Sequence, residues 1–170
     1  MMVNEHPGDG KPASPTEPHV LVGVDGSESS VKALQEARRM AEALQVPLEA
    51  IAVWQDTHSM YDFYASESGW TPEKQIEQLL KDAVDAAFGA DKPVNLILTM
   101  LRGNSPSRLM IRYSAGAEML VLGSRGHGGF SGLLLGSVST ACVAHAQCPV
   151  LIVHHKDQIR LDAEKKTAGH

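Results

Sequence analysis

No apolar run in this chain approaches the roughly 20 residues that span a bilayer, so nothing in it reads as a membrane-crossing helix. Cysteine is nearly missing: Cys142 and Cys148 are the only two. Two thiols cannot build the disulfide framework of a small secreted protein, and their scarcity points to a reducing, cytoplasmic setting. A basic surplus is missing as well. At a net charge of −5 the chain has no excess of cations to displace counterions from phosphate backbones, which argues against a nucleic-acid binder. Residues 1–18 contain no apolar stretch of signal-peptide length.

What is present suits one globular unit. A chain of 170 residues is large enough for a single sheet covered on both faces. The 43% hydrophobic and 21% charged content is the balance expected of a soluble globular protein. Residues 1–18, rich in Pro, Gly and charge, read as a disordered leader, and 156–170 as a flexible polar tail. Between them, 19–155 form the candidate domain. Five short apolar runs lie within it, at 19–25, 48–54, 94–101, 118–123 and 149–154. They are rich in Val, Leu and Ile with few polar interruptions, as strands buried on both faces should be.

The intervening segments read as helices. Ser27 can cap one whose inner stripe is Ala33, Ala37, Met40, Ala41 and Leu44. Thr71-Pro72-Glu73 starts a second, which puts Ile76, Leu79, Leu80, Ala83, Val84 and Ala87 on one face. Ser105-Pro106 opens a third, carrying Leu109, Met110 and Tyr113. A fourth is expected from near Gly136 to about Ala146. Strict β-α alternation implies a parallel, doubly wound, three-layer sheet with right-handed crossovers. The one irregular stretch is 55–69, long for a connection. Five of the chain's few aromatics, Trp54, Tyr61, Phe63, Tyr64 and Trp70, fall in or beside it. Such a loop can cover a ligand or fold down onto the protein surface, and both readings stay open.

In open α/β sheets ligands sit beyond the carboxyl ends of the strands, where the winding reverses. Five strands allow the order 2-1-3-4-5 or 3-2-1-4-5, and the loops choose. The third run leads into the short turn Arg102-Gly103-Asn104-Ser105. The fourth leads into a loop with six of the chain's 15 glycines between 123 and 136. The first run ends in Val24-Asp25-Gly26-Ser27, which puts an acid at the mouth of the same crevice. The expected order is therefore 3-2-1-4-5.

Glycines that take positive φ can turn backbone N–H groups inward as a nest for anionic oxygens. Gly136-Ser137-Val138-Ser139 then opens a helix whose free N–H groups favour phosphate, with the hydroxyls of Ser137 and Ser139 as further donors. No lysine lies in the loop, so it is not a Walker A sequence. Nor does a dinucleotide fingerprint follow the first strand. The phosphate charge would fall to N–H dipoles, Arg125 and a divalent cation. No nucleophile elbow accompanies Ser137, so no catalytic residue is assigned. Cys142, His145 and Cys148 lack the paired spacing of a zinc site, and Cys142 and His145 are expected on a buried helix face. No metal ligand is assigned either.

The run Gly123-x-x-Gly126, nine residues, then Gly136-Ser137 resembles the motif of nucleotide-binding universal stress proteins. Val22-Gly23-Val24-Asp25-Gly26-Ser27 and Cys148-Pro149-Val150-Leu151-Ile152-Val153 strengthen the resemblance, which covers about 19–154. It implies ATP at the switch point. Gly23, Val24 and Asp25 would then face ribose and adenine, and the Val53 main chain the adenine edge. Leu122, Gly123 and Gly126 would border ribose and phosphates, with Gly136, Ser137, Val138 and Ser139 on the phosphates. One departure is the turn Gly103-Asn104-Ser105-Pro106, one residue longer than is usual in the family. Relatives that prefer cyclic AMP leave that ligand as an alternative. The expectation is a stress-response or signalling module that binds ATP with Mg2+, the alternative being a slow ATPase or nucleotidyl transferase. The resemblance also implies a homodimer through the fifth strand, whose Val150-Leu151-Ile152-Val153 carries no charge to protect an open edge. The sequence names no downstream protein partner.

Overall fold

Short Val- and Leu-rich runs closed by turns become parallel strands here because helices cover both faces of the sheet. The computed structural model describes residues 17–54, 71–126 and 134–154, together with the backbone of 2–7. Its strands are β1 (Met2–Pro7), β2 (Val20–Gly23), β3 (Leu48–Trp54), β4 (Leu96–Arg102), β5 (Met119–Gly123) and β6 (Val150–Val153). Its helices are α1 (Glu28–Leu44), α2 (Pro72–Phe88), α3 (Pro106–Tyr113) and α4 (Ser137–His145). The spatial order is β1-β4-β3-β2-β5-β6, every neighbouring pair parallel. Without β1 this is the expected 3-2-1-4-5 arrangement of the five apolar runs.

The sixth strand corrects the reading of the leader. Composition predicts disorder over residues 1–18, yet Met2–Pro7 pairs with Ile97 to Arg102. Backbone, not side chain, supplies the reason. Without it β4 would expose a row of unpaired N–H and C=O groups, which an extended segment can satisfy whatever its composition. Residues 8–16, the aromatic-rich loop 55–69 and the tail from 155 lie outside the described residues.

Three of the four helices start where the sequence places a side-chain cap. Ser27 Oγ accepts from Ser30 N at 3.2 Å, and Thr71 Oγ1 accepts from Lys74 N at 3.3 Å with Pro72 at the first helical position. Ser105 caps α3 in the same way. The inner stripe of α1 needs one correction. Ala33, Leu34, Ala37 and Ala41 are buried, whereas Leu44 is 48% exposed because the last turn, 42–45, clears the sheet. Val94 also leaves its expected strand for a turn and is exposed.

The sheet sorts its side chains by alternation. Val20, Val22, Ala50, Ala52, Leu98 and Met100 pack with α1 and α2. Leu21, Ile51, Leu101, Leu120 and Leu122 face Leu109, Met110, Tyr113 and Cys142 on the other side. That second face also carries a buried polar cluster at the amino ends of the strands. His19 is wholly buried and Glu49 nearly so, with His19 Nε2 3.2 Å from Glu49 Oε2. The Thr99 hydroxyl donates to Glu49 Oε1 at 2.6 Å, and His19 Nδ1 lies 3.1 Å from the Glu17 carbonyl oxygen. Both ring nitrogens thus lie near oxygen acceptors, an arrangement that favours the doubly protonated imidazolium.

Burial pulls the His19 pKa down and is the largest single influence. The hydrogen bonds to Glu49 and Glu17 and the charges of Glu49 and Glu118 outweigh it, so the net shift is upward from 6.5. A raised folded value means that the pair stabilises fully below the unfolded value and loses this contribution as pH rises through the folded one. Urea unfolding should therefore show stability declining above pH 6.5, with a slope that His19→Gln removes. Parallel pH profiles for wild type and variant would acquit His19.

Candidate functional site

The winding reverses between β2 and β5, and their carboxyl ends open into a cavity of about 340 Å³, within the range of small-molecule sites. Three backbone segments form its rim. After β2 the chain turns through Asp25-Gly26-Ser27, with Gly26 at φ 82°, a conformation that suits glycine. Asp25 Oδ1 accepts from Ser27 N at 3.0 Å and from Ser27 Oγ at 2.6 Å. This is the turn-capping role that an aspartate here can always play. The second oxygen, Oδ2, lies against Gly126, where a Cβ would strike it. Asp25 is exposed, so it both caps its turn and lines the cavity.

After β5 the chain runs through Gly123, Ser124, Arg125 and Gly126. Gly123 is set by packing: a methyl group on it would sit 2.5 Å from Ser29 Oγ and 2.9 Å from the Ser29 carbonyl oxygen. The sequence predicts positive φ in this loop, but among its described glycines, Gly123, Gly126 and Gly136, none takes it. Gly136 is extended at φ −71°, ψ 164°, and a Cβ there meets nothing nearer than 3.6 Å. Close approach and open space, not left-handed backbone, are what these glycines provide. His127 and the rest of 127–133 lie outside the described residues.

The third segment is the start of α4. Gly136 occupies the N-cap position with no side-chain cap, and its own N–H donates to the Ser124 carbonyl at 2.7 Å. The first-turn amides of Ser137, Val138 and Ser139 have no acceptor within the helix. All three residues line the cavity. The positive end of the helix dipole falls there as well. One expectation for this turn changes. Ser139 is 5% exposed and its hydroxyl donates to the Gly123 carbonyl at 2.8 Å, so that hydroxyl is a tie within the protein, not a donor waiting for phosphate.

All twelve residues expected at the site, Gly23, Val24, Asp25, Val53, Leu122, Gly123, Arg125, Gly126, Gly136, Ser137, Val138 and Ser139, line this one cavity. Four others were not anticipated: Ser30, Ile51, Pro106 and Met110. The signals were there. Ile51 stands two residues before Val53 and so shares its face, and Pro106 and Met110 are four apart on one helix side. With Val53 and Leu122, Ile51, Pro106 and Met110 make an apolar end facing the polar one.

The cysteine region behaves differently. Cys142 is wholly buried on α4, and burial pushes its thiol up to about 11, which removes it as a nucleophile at neutral pH. His145, expected on the same buried face, is exposed instead, while the next residue, Ala146, packs against the core. Among the described residues no three His, Cys, Asp or Glu side chains gather as metal ligands. None of the described helices is long and apolar enough to cross a membrane.

A doubly wound α/β sheet with a ligand-sized crevice at its switch point is the class that this geometry defines. Within that class the chain belongs to the universal stress protein family, whose profile matches residues 18–154. It is similar to a universal stress protein of Mycobacterium bovis, 33% identical over 151 residues, with 86% of this chain and 49% of that protein covered. A second such protein, from Mycobacterium tuberculosis, is 32% identical over 151 residues, with 86% and 48% covered. The chain spans about half the length of these curated relatives. Among solved structures it is similar to the universal stress protein UspA of Lactobacillus plantarum, with a TM-score of 0.65 and 25% identity over 80% of this chain and 97% of that one. A universal stress protein solved in complex with cAMP gives a TM-score of 0.60 and 27% identity, with 81% and 96% covered.

The packing separates two glycines of the motif. Gly123→Ala should destabilise the protein by about 1–3 kcal/mol, because the methyl group meets Ser29 backbone that cannot swing aside. Gly136→Ala should leave stability within about 0.5 kcal/mol, its Cβ meeting only open space and van der Waals contacts. Chemical denaturation of the two variants checks this, and equal losses would contradict the geometry.

Proposed function

We propose that this chain is an adenine-nucleotide-binding module of stress response or signalling, that its ligand is ATP with Mg2+, and that it is not an efficient catalyst. One observation carries the reading: a cavity whose apolar end, Ile51, Val53, Pro106, Met110 and Leu122, faces an uncapped helix start at Ser137. A purine suits the first end and phosphates the second. Gly23, Val24 and Asp25 would border adenine and ribose, and Gly123, Arg125, Gly126 and Gly136 the ribose and phosphates. The relative solved with cAMP supports an adenine nucleotide in such a pocket. Mg2+ would ride on the phosphate oxygens, since Asp25 already spends one carboxylate oxygen on Ser27. The two described cysteines are free thiols, which suits work in the cytoplasm.

Efficient phosphoryl transfer wants metal-holding carboxylates, a cationic clamp and a residue that orients water. Among the described residues the cavity offers one carboxylate, Asp25, and one guanidinium, Arg125. Turnover should therefore fall well below the roughly 10 s⁻¹ median of enzymes. Rapid phosphate release that Asp25→Ala abolishes would favour the ATPase reading.

Titration with ATP, ADP, AMP and cyclic AMP, followed by melting temperature and calorimetry, tests the ligand. ATP should bind in the low micromolar range or tighter, on the order of the affinities that such convergent donors support. A hundredfold excess over Kd should then stabilise the fold by about 2.7 kcal/mol. Gly136→Val should keep the fold and lose ATP, because its side chain occupies the space that the Gly136 Cβ direction leaves open. No shift with any nucleotide sinks the reading, and preference for cyclic AMP redirects it.

We also propose that two copies pair through β6. At the opposite edge, β1 already covers β4. Val150, Leu151, Ile152 and Val153 have neither charge nor proline and are all half-buried. Two such strands can pair antiparallel about a twofold axis and close the assembly. Light scattering should report a dimer at micromolar concentration that Leu151→Asp or Ile152→Lys dissociates. A monomeric wild type defeats the arrangement, and a dimer indifferent to both charges moves the interface elsewhere.

A further inference from the structure

Three successive carbonyl groups at the end of β5 and just after it are each taken by a donor from the start of α4 or of α1. The Gly123 oxygen accepts the Ser139 hydroxyl of α4 at 2.8 Å. The Ser124 oxygen accepts the Gly136 N–H at 2.7 Å. The Arg125 oxygen accepts the hydroxyl of Ser29, from the first turn of α1. Ser29 and Ser139 are 7% and 5% exposed, and Ser29 does not line the cavity. On the opposite side Ser124 N donates to the Val153 carbonyl at 2.8 Å, which ties the same segment to β6. The start of α4, the start of α1 and the end of β6 are thus gathered on three residues of backbone, 123–125.

This pattern has an electrostatic consequence. A carbonyl aimed at a phosphate repels it, and a helix N-terminus attracts it only when held at the right distance. Here the negative ends of all three carbonyl dipoles are held on protein donors. The same bonds set how far the Ser137 and Val138 amides stand from the end of β5. Resting on the nucleotide reading above, we propose that Ser29 and Ser139 are positioning residues that preform the phosphate end of the cavity by holding the carbonyls of Arg125 and Gly123. Their hydroxyls act through backbone carbonyls and do not touch the ligand. The hydroxyl of Ser137, an exposed residue, is not part of this ring and can meet the phosphates beside Arg125.

The proposal separates phosphate from nucleoside. Ser29→Ala and Ser139→Ala should each weaken ATP about fivefold, the value of one lost hydrogen bond transmitted to the phosphates. Adenosine, which has no phosphate, should change less than twofold, and Ser139→Thr, which keeps the hydroxyl, should restore ATP. Equal losses for ATP and adenosine, or no loss for either, overturn the proposal. A second measurement needs no ligand. In the free protein, amide exchange at Gly136 should quicken roughly tenfold in both alanine variants as its bond to Ser124 loosens. Exchange at Val24, bonded to the Ile51 carbonyl at 2.8 Å, should stay unchanged. Unaltered Gly136 exchange, or equal acceleration at both amides, refutes the positioning role. If the wild type bound neither ATP nor adenosine, the nucleotide reading would fall, and the exchange data would decide the role of the two serines by themselves.

Discussion

The first turn of α1 lies against the end of β5 so closely that residue 123 has no room for a side chain. That contact follows from the topology. The chain leaves β2 through α1, runs out to β3 and β4, and then reverses to lay β5 on the other side of β2, against the first turn of α1. Everything at the carboxyl edge is arranged around this contact. It brings the Ser29 hydroxyl to the Arg125 carbonyl and sets the Asp25 turn opposite Gly126. The crevice lies where the two loops part, with the start of α4 as its third wall.

The two ends of the sheet handle polar groups in opposite ways. At the amino end, His19, Glu49 and Thr99 pair with one another in the buried interior, and the Tyr113 hydroxyl pKa is pushed up first by burial and then by the charge of Glu49. A buried pair of this kind contributes little beyond an apolar substitute, but breaking it is expensive, about 3–5 kcal/mol when one partner is removed. At the carboxyl end the protein satisfies its carbonyls and leaves first-turn amides of α4 without helical acceptors. Self-sufficiency at one end and a surplus of donors at the other give the domain one electrostatically receptive face.

The cavity's described lining lies within a chain about half as long as the curated relatives. Its walls come from β2, β3, β5, α1, α3 and α4, so nearly every layer contributes to one site. A substitution in any of these elements can therefore be felt there, even where the residue is far away in sequence.

Much was legible before any coordinate was known. Alternating apolar runs and capped helices specified the five core strands and four helices, because periodicity and caps are local properties. Glycine clustered after the fourth run, and an aspartate after the first, located the crevice, because a sheet of this winding has one place for such loops. Local pattern failed where the answer depended on what lay opposite. Met2–Pro7 reads as disordered until β4 offers it an unpaired edge. Gly123 reads as a flexible loop residue until Ser29 is found above it. Ser139 reads as a phosphate donor until the Gly123 carbonyl claims its hydroxyl, and Met110 reads as core until the cavity opens beside it. Sequence by itself determined the elements, their order and the address of the site. Only the tertiary structure decided which groups were already spoken for, because a hydrogen bond or a close contact needs two partners and the chain names them far apart.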